Sequence, residues 1–290
     1  MTASGPPPRR SRLSRRAFLK LSAAGAAGWG LAPAWSAQAA ALGAPRLAAT
    51  LPVPFPHRYY PDPEALLAKH PAGFDLLLVP AYLAAGLIRR HTLQPLAGPR
   101  GRAHDPEGAY TLPYRYAASA ILHPAGVAPS DPWQARLAWP AFGRLLFGAA
   151  LQRQGYSPND IHAGHLAQAG EDLAALGLAI TADPLATLQA GTAPAAFMPV
   201  PLLDTGEFAL DEGLEAALPP WGGVLIEYDW VIPANAPDPD AALAFLETLP
   251  PAPAKPSLPL VPLAPLPDRA QAQHGRLWAS LARPRRPANG

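Results

Sequence analysis

Glu227 and Asp229 are the acidic residues whose spacing most clearly favours chemistry, since they alternate with aromatic residues in the segment Trp221 to Asn235, WGGVLIEYDWVIPAN. The β-branched and aromatic residues between a Gly-Gly turn and a proline predict a half-buried β-strand. Alternate side chains of a strand share a face, which separates the two carboxylates from an apolar and aromatic face containing Tyr228. Two interpretations are open: an ordinary strand with a solvated acidic side, or a strand whose carboxylates bind cationic groups beside aromatic rings.

Other residue types offer little catalytic or metal chemistry. His162 and His165 lie three residues apart without a third ligand nearby in the sequence, so we interpret them as exposed polar residues at a helix start. Adjacent tyrosines such as Tyr59 and Tyr60 can bind iron, but no matching acidic and histidine set accompanies them. The chain has no cysteine, which excludes disulfides and thiol nucleophiles. Since G-x-S-x-G, metal-helix and glycine-rich phosphate motifs are also missing from the sequence, we expect no catalytic residue, metal or cofactor.

The first 39 residues have the features of an export signal. The run SRRAFLK from Ser14 matches the bacterial twin-arginine motif, a small-residue apolar run follows it, and Ala37 to Ala39 forms an A-x-A cleavage pattern. The apolar run is too short, and too interrupted by glycine and proline, to span a bilayer about 30 Å thick. We therefore expect twin-arginine export, a mature chain beginning near Ala40, and a periplasmic or other extracytoplasmic location.

Charge and composition favour an exported globular protein over a nucleic-acid binder. Six of the 23 basic residues lie in the leader, which has no acidic residue, so the remainder holds fewer basic than the 21 acidic side chains. A nucleic-acid-binding protein normally keeps a basic patch on its folded body. The chain has 40 prolines but is 49% hydrophobic, which predicts a folded protein with many turns and a proline-rich extended segment over about 249–267.

Alternating strand and helix patterns predict an α/β fold. Arg46 to Val53 can form a strand, PDPE from Pro61 is a helix-start signal, and Phe74 to Val79 reads as a parallel strand buried on both faces. A helix from about Tyr82 to Arg90 follows. Ligands on doubly wound sheets bind at the carboxyl ends of strands, which places Tyr82 at a candidate cleft edge, although this residue could equally well only pack inward.

The continuation of the first segment, an IPANA turn followed by DPDAALAFLETL, resembles the late crossover of the extracytoplasmic solute-binding proteins of spermidine/putrescine ABC importers. Further similar pieces follow the same order along the chain: FDLLLVPAY from Phe74, LQPL from Leu93, YTLPYRY from Tyr110 and QGYSPN from Gln154. The resemblance implies a hinged, two-lobed, type II periplasmic-binding-protein-like fold, each lobe a mixed sheet flanked by helices. It implies lobe one over 46–115 and 232–290, and lobe two over 116–231.

The same resemblance implies a cleft, although this chain departs from the family at its ligand-binding acids. The family's acidic helix-start positions fall on Phe142 and Leu145, and those of its late strand fall on Ile226 and Tyr228, with Glu227 and Asp229 displaced by one position. A shift of one residue turns a strand side chain to the opposite face. The candidate ligand-binding residues are Tyr82, Tyr114, Tyr116, Phe142, Glu227, Tyr228 and Asp229.

The resemblance favours a monomeric, non-enzymatic solute-binding component of an ABC-type importer. Such a protein captures a small solute, a polyamine or another compound, between its two lobes and delivers it to a membrane permease. The alternative is a degenerate two-lobed homologue that acts as a sensor or interaction protein without binding polyamines. An exported enzyme is the third hypothesis, and no sequence motif favours it.

Overall fold

The structure is a computed structural model that describes residues 40–42, 57–60, 62–64, 73–96, 104–127, 131, 133, 136–203 and 205–281. The chain divides into two compact units, Met1–Trp35 and Ser36–Gly290. The first unit, with nearly all of the expected export signal, lies outside the described residues. Within the described part, no helix has the length and apolar character that crossing a membrane requires.

Ten strands and six helices make up the described part of the second unit. The strands are β1 (Ala40–Leu42), β2 (His57–Tyr59), β3 (Leu76–Pro80), β4 (Leu112–Pro124), β5 (Ala138–Pro140), β6 (Ala179–Thr181), β7 (Ala196–Pro201), β8 (Leu214–Ala217), β9 (Val224–Val231) and β10 (Val261–Pro262). The helices are α1 (Ala81–Arg89), α2 (Gly143–Arg153), α3 (Ala163–Ala175), α4 (Pro184–Gln189), α5 (Pro239–Thr248) and α6 (Asp268–Leu281).

Two central strands, β4 and β9, connect all the others. They pair antiparallel, and β9 also pairs antiparallel with β3, while β4 pairs antiparallel with β7. Parallel strands β1 and β2 extend the sheet beyond β3, and parallel strands β5 and β6 extend it beyond β7. The sheet is therefore mixed, with two groups of parallel strands joined by one antiparallel pair. The lobe boundaries expected from the sequence stay a prediction.

The strand predicted from Phe74 and the helix predicted from about Tyr82 are present close to their expected positions, whereas the strand predicted over 46–53 lies outside the described residues. Every residue of β3 is buried, as expected for a strand covered on both faces, and α1 begins one residue before the predicted Tyr82. The first nine residues of α2 are buried as well. β9 differs from the half-buried strand expected, since only Glu227 is partly exposed along it. The reason is its position between β3 and β4 in the middle of the sheet.

The proline-rich segment forms no helix and contributes only the short strand β10, which pairs in parallel with the start of β9. Proline supplies no backbone N–H for a helix or sheet ladder, so an extended course is expected there. The helix α6 that follows packs against α2 and α3. Its exposed Asp268 also forms an ion pair with Arg89 at the end of α1, with 3.3 Å between the two side chains. Helix α6 therefore contacts α1, which follows β3, as well as α2 and α3, which lie between β5 and β6 along the chain.

Candidate solute-binding site

A cavity of about 320 Å³ lies where the first turns of α1 and α2 face helix α6. Its volume is at the lower end of the range usual for small-molecule sites, and corresponds to roughly ten water molecules at about 30 Å³ each. Several ionisable or aromatic side chains line it, among them Glu64, Tyr82, Arg90, Arg144, His274 and Trp278. The cavity therefore combines apolar walls with a small number of polar groups, as a solute-binding site requires.

Glu64 and Tyr82 form a buried hydrogen-bonded pair on one wall. The Tyr82 hydroxyl donates to Glu64 Oε1 at 2.5 Å, while Glu64 Oε2 has no hydrogen-bond partner among the described residues. Burial, assisted by the nearby charge of Asp62, raises the pKa of Glu64 to about 8. Most of the Glu64 population is therefore uncharged at neutral pH, and its carboxyl group can donate a hydrogen bond as well as accept one.

Aromatic rings surround this pair. Tyr82 stacks on Phe142, with ring centroids 6.4 Å apart and ring planes inclined by 25°. Tyr228 is buried too, and its hydroxyl group lacks a hydrogen-bond partner within the described part of the chain. Burial, together with the charge of Glu64, raises the pKa of Tyr228. These three aromatic residues are uncharged and place apolar ring surface beside the carboxyl group.

Arg144, the second residue of α2, supplies a buried positive charge. Its guanidinium donates to the Pro158 carbonyl and to Asn159 Oδ1, both at 2.6 Å, and to the Ala264 carbonyl at 3.4 Å. Burial lowers its pKa to about 10, so the group stays charged at neutral pH. Its guanidinium carbon lies 6.0 Å from the centroid of the Tyr82 ring, a cation–π distance. Among the described residues no carboxylate forms an ion pair with it.

His274 lies on the α6 side of the cavity. The residue is 6% exposed, its ring packs edge-on against Phe147 with centroids 4.9 Å apart, and neither ring nitrogen has a hydrogen-bond partner among the described residues. Burial, and the charge of Arg144, lower the pKa of His274 to about 3. The imidazole is therefore neutral at physiological pH and offers one donor and one acceptor nitrogen.

The predicted site residues divide between two faces of the β4–β9 pair. Tyr228 lies on the face of β9 that meets Glu64 and Tyr82, and Phe142 stacks against Tyr82 at the start of α2. Tyr116 is paired in register with Glu227 on the other face, where it packs in an apolar cluster with Leu225. The structure therefore brings three of the predicted aromatic residues to the cavity region and directs Tyr116 and the strand carboxylates away from it.

The two strand carboxylates have basic partners on that second face. His104 Nε2 lies 2.9 Å from Asp229 Oδ2, and both side chains are buried. Glu227 Oε1 lies 3.7 Å from Lys255 Nζ, with the Glu227 side chain 19% exposed. Asp229 is thus not a solvated acid, and Glu227 already contacts a protein cation.

A register irregularity of β4 between Pro113 and Arg115 separates Tyr114 from Tyr116. Tyr114 lies against Trp230, with ring centroids 5.4 Å apart, and Arg115 covers its ring at 5.2 Å. In a regular strand Tyr114 and Tyr116 would share a face. The irregularity instead places Tyr114 on the Trp230 side and Tyr116 on the Glu227 side.

Sequence reasoning missed Glu64, Arg144 and His274 as cavity residues. Glu64 belongs to the PDPE run, which predicted only a helix start. A signal for Arg144 was available, because one cation interrupts the apolar sequence GRLLFGAAL of α2, and a cation in such a buried helix needs a specific partner or role. His274 lies in a mainly polar helix without any comparable signal.

No metal centre is formed within the described ranges, since no group of three His, Asp or Glu side chains there lies close enough to hold an ion. His162 and His165, considered above as ligands, instead lie at the start of α3. Asp160 accepts from the backbone N–H of His162, and its carboxylate lies 2.9 Å from His165 Nδ1. Their role there is local hydrogen bonding at a helix start.

The comparisons with known proteins agree with this architecture at the level of fold. Solved structures described as a spermidine/putrescine ABC transporter, an ABC transporter substrate-binding protein and a periplasmic thiamin binding protein superpose on most of the chain. The chain thus has the two-lobed type II periplasmic-binding-protein fold, with one curled mixed sheet flanked by helices. No protein-family model matches the sequence, and no curated protein matches it either.

Among the similar structures, one from Listeria monocytogenes is described as a spermidine/putrescine ABC transporter. It has a TM-score of 0.66 and 18% identity, and the alignment covers 85% of this chain and 99% of that one. The TpPotD lipoprotein of Treponema pallidum has a TM-score of 0.59 at 18% identity, covering 78% and 90% of the two chains. A periplasmic thiamin binding protein has a TM-score of 0.56 at 13% identity, and the alignment covers 87% of this chain and 98% of that one. The resemblance predicted from the sequence is therefore confirmed as a likeness of fold.

Two of these structural neighbours are described as an ABC transporter and as a periplasmic binding protein. Two of them are named for different solutes, one for spermidine/putrescine and the other for thiamin. The same fold therefore accommodates chemically different ligands, and the solute of this chain has to be argued from its own side chains.

Proposed function

We propose that this chain is the exported solute-binding component of an ABC-type importer, and that it captures a small solute in the cavity between α1, α2 and α6. The observation that carries the proposal is a cavity of about 320 Å³ whose wall includes buried polar atoms without hydrogen-bond partners among the described residues, within a substrate-binding fold. Buried polar atoms are normally satisfied, so such atoms around a cavity favour a polar ligand.

A thermal-shift panel of amines, amino acids, organic acids and cofactor fragments tests this function on the mature chain. A solute present at 100 times its dissociation constant adds about 2.7 kcal/mol to the free energy of unfolding, which raises the melting temperature measurably. Binding should be confirmed by calorimetry with a stoichiometry of one. If no compound of the panel shifts the melting temperature, the solute-binding proposal fails in favour of a sensor or interaction protein.

The polyamine ligand stays a separate prediction. If a polyamine binds between Glu227, Asp229 and aromatic rings, replacing both acids by Gln and Asn should remove spermidine binding in calorimetry. The matched control is the double change of Glu212 and Glu215 to Gln, because both residues are exposed. A flat spermidine titration with the unmodified chain removes polyamines from consideration and leaves the solute-binding function open.

Export is proposed on the leader sequence. The twin-arginine motif is read by a receptor, so replacing Arg15 and Arg16 together by Lys should keep the mature protein inside the cell although the charge is unchanged. Replacing Arg9 and Arg10 by Lys is the matched control and should leave export intact. Fractionation with detection of the cleaved form measures the outcome. Undiminished extracytoplasmic protein from the Arg15 and Arg16 variant contradicts twin-arginine export.

A further inference from the structure

Two helices begin at the cavity without an acidic or capping side chain. Neither Pro80, before α1, nor Phe142, before α2, makes a side-chain cap hydrogen bond, and neither helix has an acidic residue in its first turn. The first backbone N–H groups of a helix lack intrahelical acceptors and carry a partial positive charge. Gly143 and Arg144, the first two residues of α2, both line the cavity, and α1 contributes Tyr82 to the same wall.

Buried side chains add independent evidence that a ligand belongs there. Arg144 is 4% exposed, lines the cavity, and has an Nε that is unpartnered within the described part of the chain. His274, on the opposite wall, is equally buried and leaves both ring nitrogens unpartnered there. A buried guanidinium normally has an anionic partner, yet Arg144 donates only to carbonyl and amide oxygens. Positive charge is thus in excess at this end of the cavity.

The acidic residues of the wall do not balance that charge. Glu64 is largely uncharged at neutral pH because of its burial. Asp268 is at the exposed rim, where it already pairs with Arg89. Trp278, by contrast, offers an apolar surface directly over the first residue of α2, since a Cβ placed on Gly143 would lie 2.7 Å from its ring. The wall therefore suits a small molecule with an anionic group and a short apolar part.

We infer that the solute carries a carboxylate, which lies beside the first turn of α2, where Arg144 supplies charge and the Glu64 carboxyl group, whose Oε2 is unpartnered among the described residues, lines the same cavity. The inference rests on the proposed solute-binding function and names its ligand class. It differs from the polyamine expectation in the sign of the ligand charge. A polyamine placed here would meet the charge of Arg144, and the carboxylate of Asp268 at the rim is already paired with Arg89.

Three molecules of the same chain length separate the possibilities: glutarate, its diamide, and 1,5-diaminopentane. Calorimetry on the mature chain should show glutarate binding at least tenfold more tightly than the diamide, and no binding of the diamine. Glu64→Gln keeps a neutral group of the same shape and should retain glutarate binding. A diamine that binds the unmodified chain, and is lost in Glu64→Gln, overturns the inference while the solute-binding function stands.

The pH dependence of glutarate affinity gives a second test of the role of Glu64. Glu64 is faced by Asp62 on its own segment, Tyr82 on α1, Arg144 on α2 and Tyr228 on β9, with Arg90, Asp268 and His274 elsewhere on the cavity wall. Above pH 8 the ionised Glu64 repels a carboxylate, so glutarate affinity should fall toward tenfold per pH unit. In Glu64→Gln the affinity should stay level between pH 7 and 9. Equal profiles for the two proteins overturn the role given to Glu64.

Two matched substitutions on α6, one at the cavity and one away from it, test where the carboxylate binds. Ala272 lines the cavity, and Ala279 is on the same helix away from it; both are exposed, so glutamate at either position is compatible with folding. Ala272→Glu should weaken glutarate binding about tenfold, and Ala279→Glu should leave it unchanged. Equal affinities in both variants, or no glutarate binding to the unmodified chain, overturn the carboxylate inference. If another solute of the wider panel binds, the proposed function survives that result.

Discussion

Replacing Glu64 by Gln should stabilise the protein in alkaline solution and leave its stability nearly unchanged in acid. The folded chain holds a proton on Glu64 up to a pKa of about 8, whereas the unfolded chain releases it at the ordinary value of 4.5. Within that window unfolding releases a proton, so the free energy of unfolding falls as the pH rises. Glutamine keeps an acceptor for the Tyr82 hydroxyl, which donates to Glu64 Oε1 at 2.5 Å, and has no charge to desolvate.

The magnitude follows from the two pKa values. Through residue 64 alone, each pH unit between 4.5 and 8 lowers the free energy of unfolding of the wild-type protein by about 1.4 kcal/mol. The variant lacks this loss, so the difference between the two proteins reaches about 5 kcal/mol at pH 8. Below pH 4.5 both proteins hold a neutral group at this position, and their stabilities should differ little. The sign is opposite to that of a salt-bridged glutamate, which stabilises a protein as the pH rises.

Urea unfolding followed by tryptophan fluorescence at pH 5, 6, 7 and 8 measures this difference, because all other titrating groups are common to both proteins. Glu171→Gln, a change on the exposed side of α3, is the matched control and should follow the wild type at every pH. Parallel pH profiles for wild type and Glu64→Gln refute the reasoning, since they mean that Glu64 titrates normally in the folded protein.

Two further predictions concern helix α6 and its contacts. Gly143→Ala should destabilise by about 1–3 kcal/mol in urea unfolding, because the new Cβ would lie 2.7 Å from the Trp278 ring, whereas Gly275→Ala, with open space around its Cβ, should stabilise by about 0.5–1 kcal/mol. Equal effects of the two changes would contradict the tight contact. His274→Phe keeps a ring against Phe147 but cannot be protonated. Since burial lowers the pKa of His274 to about 3, wild-type stability should fall as the pH drops below 6.5, and the variant should lose less between pH 6.5 and 4; identical acid profiles count against a buried neutral imidazole.

Local patterns in the sequence were sufficient to predict the main secondary structure. The alternation around Glu227 predicted β9, and the apolar run from Phe74 predicted β3, because side-chain periodicity reports which faces of an element are buried. The same alternation separated Tyr228 from Glu227 and Asp229, which the structure places on opposite faces. The alternation does not predict which face of β9 meets the cavity, because that depends on which elements cover each side of the sheet.

The polar part of the site could not be predicted from local patterns. Glu64, Arg144 and His274 come from three separate segments that only the tertiary fold brings together. Their charge states result from burial, which a sequence does not display. The irregularity between Pro113 and Arg115, which moves Tyr114 and Tyr116 to different faces, has no turn residue to announce it apart from one proline.

The position of α6 has a consequence for the order of folding. Arg144 binds the Ala264 carbonyl across a sequence separation of 120 residues, and Arg89 meets Asp268 across 179. Contacts of such long range form slowly, because the loop between the partners must be ordered before they gain any stability. Since α6 is the last described element to leave the ribosome, the sheet can form before the cavity wall is complete. A ribosome-bound chain on which α6 has not yet been synthesised should therefore show β-structure but no solute binding.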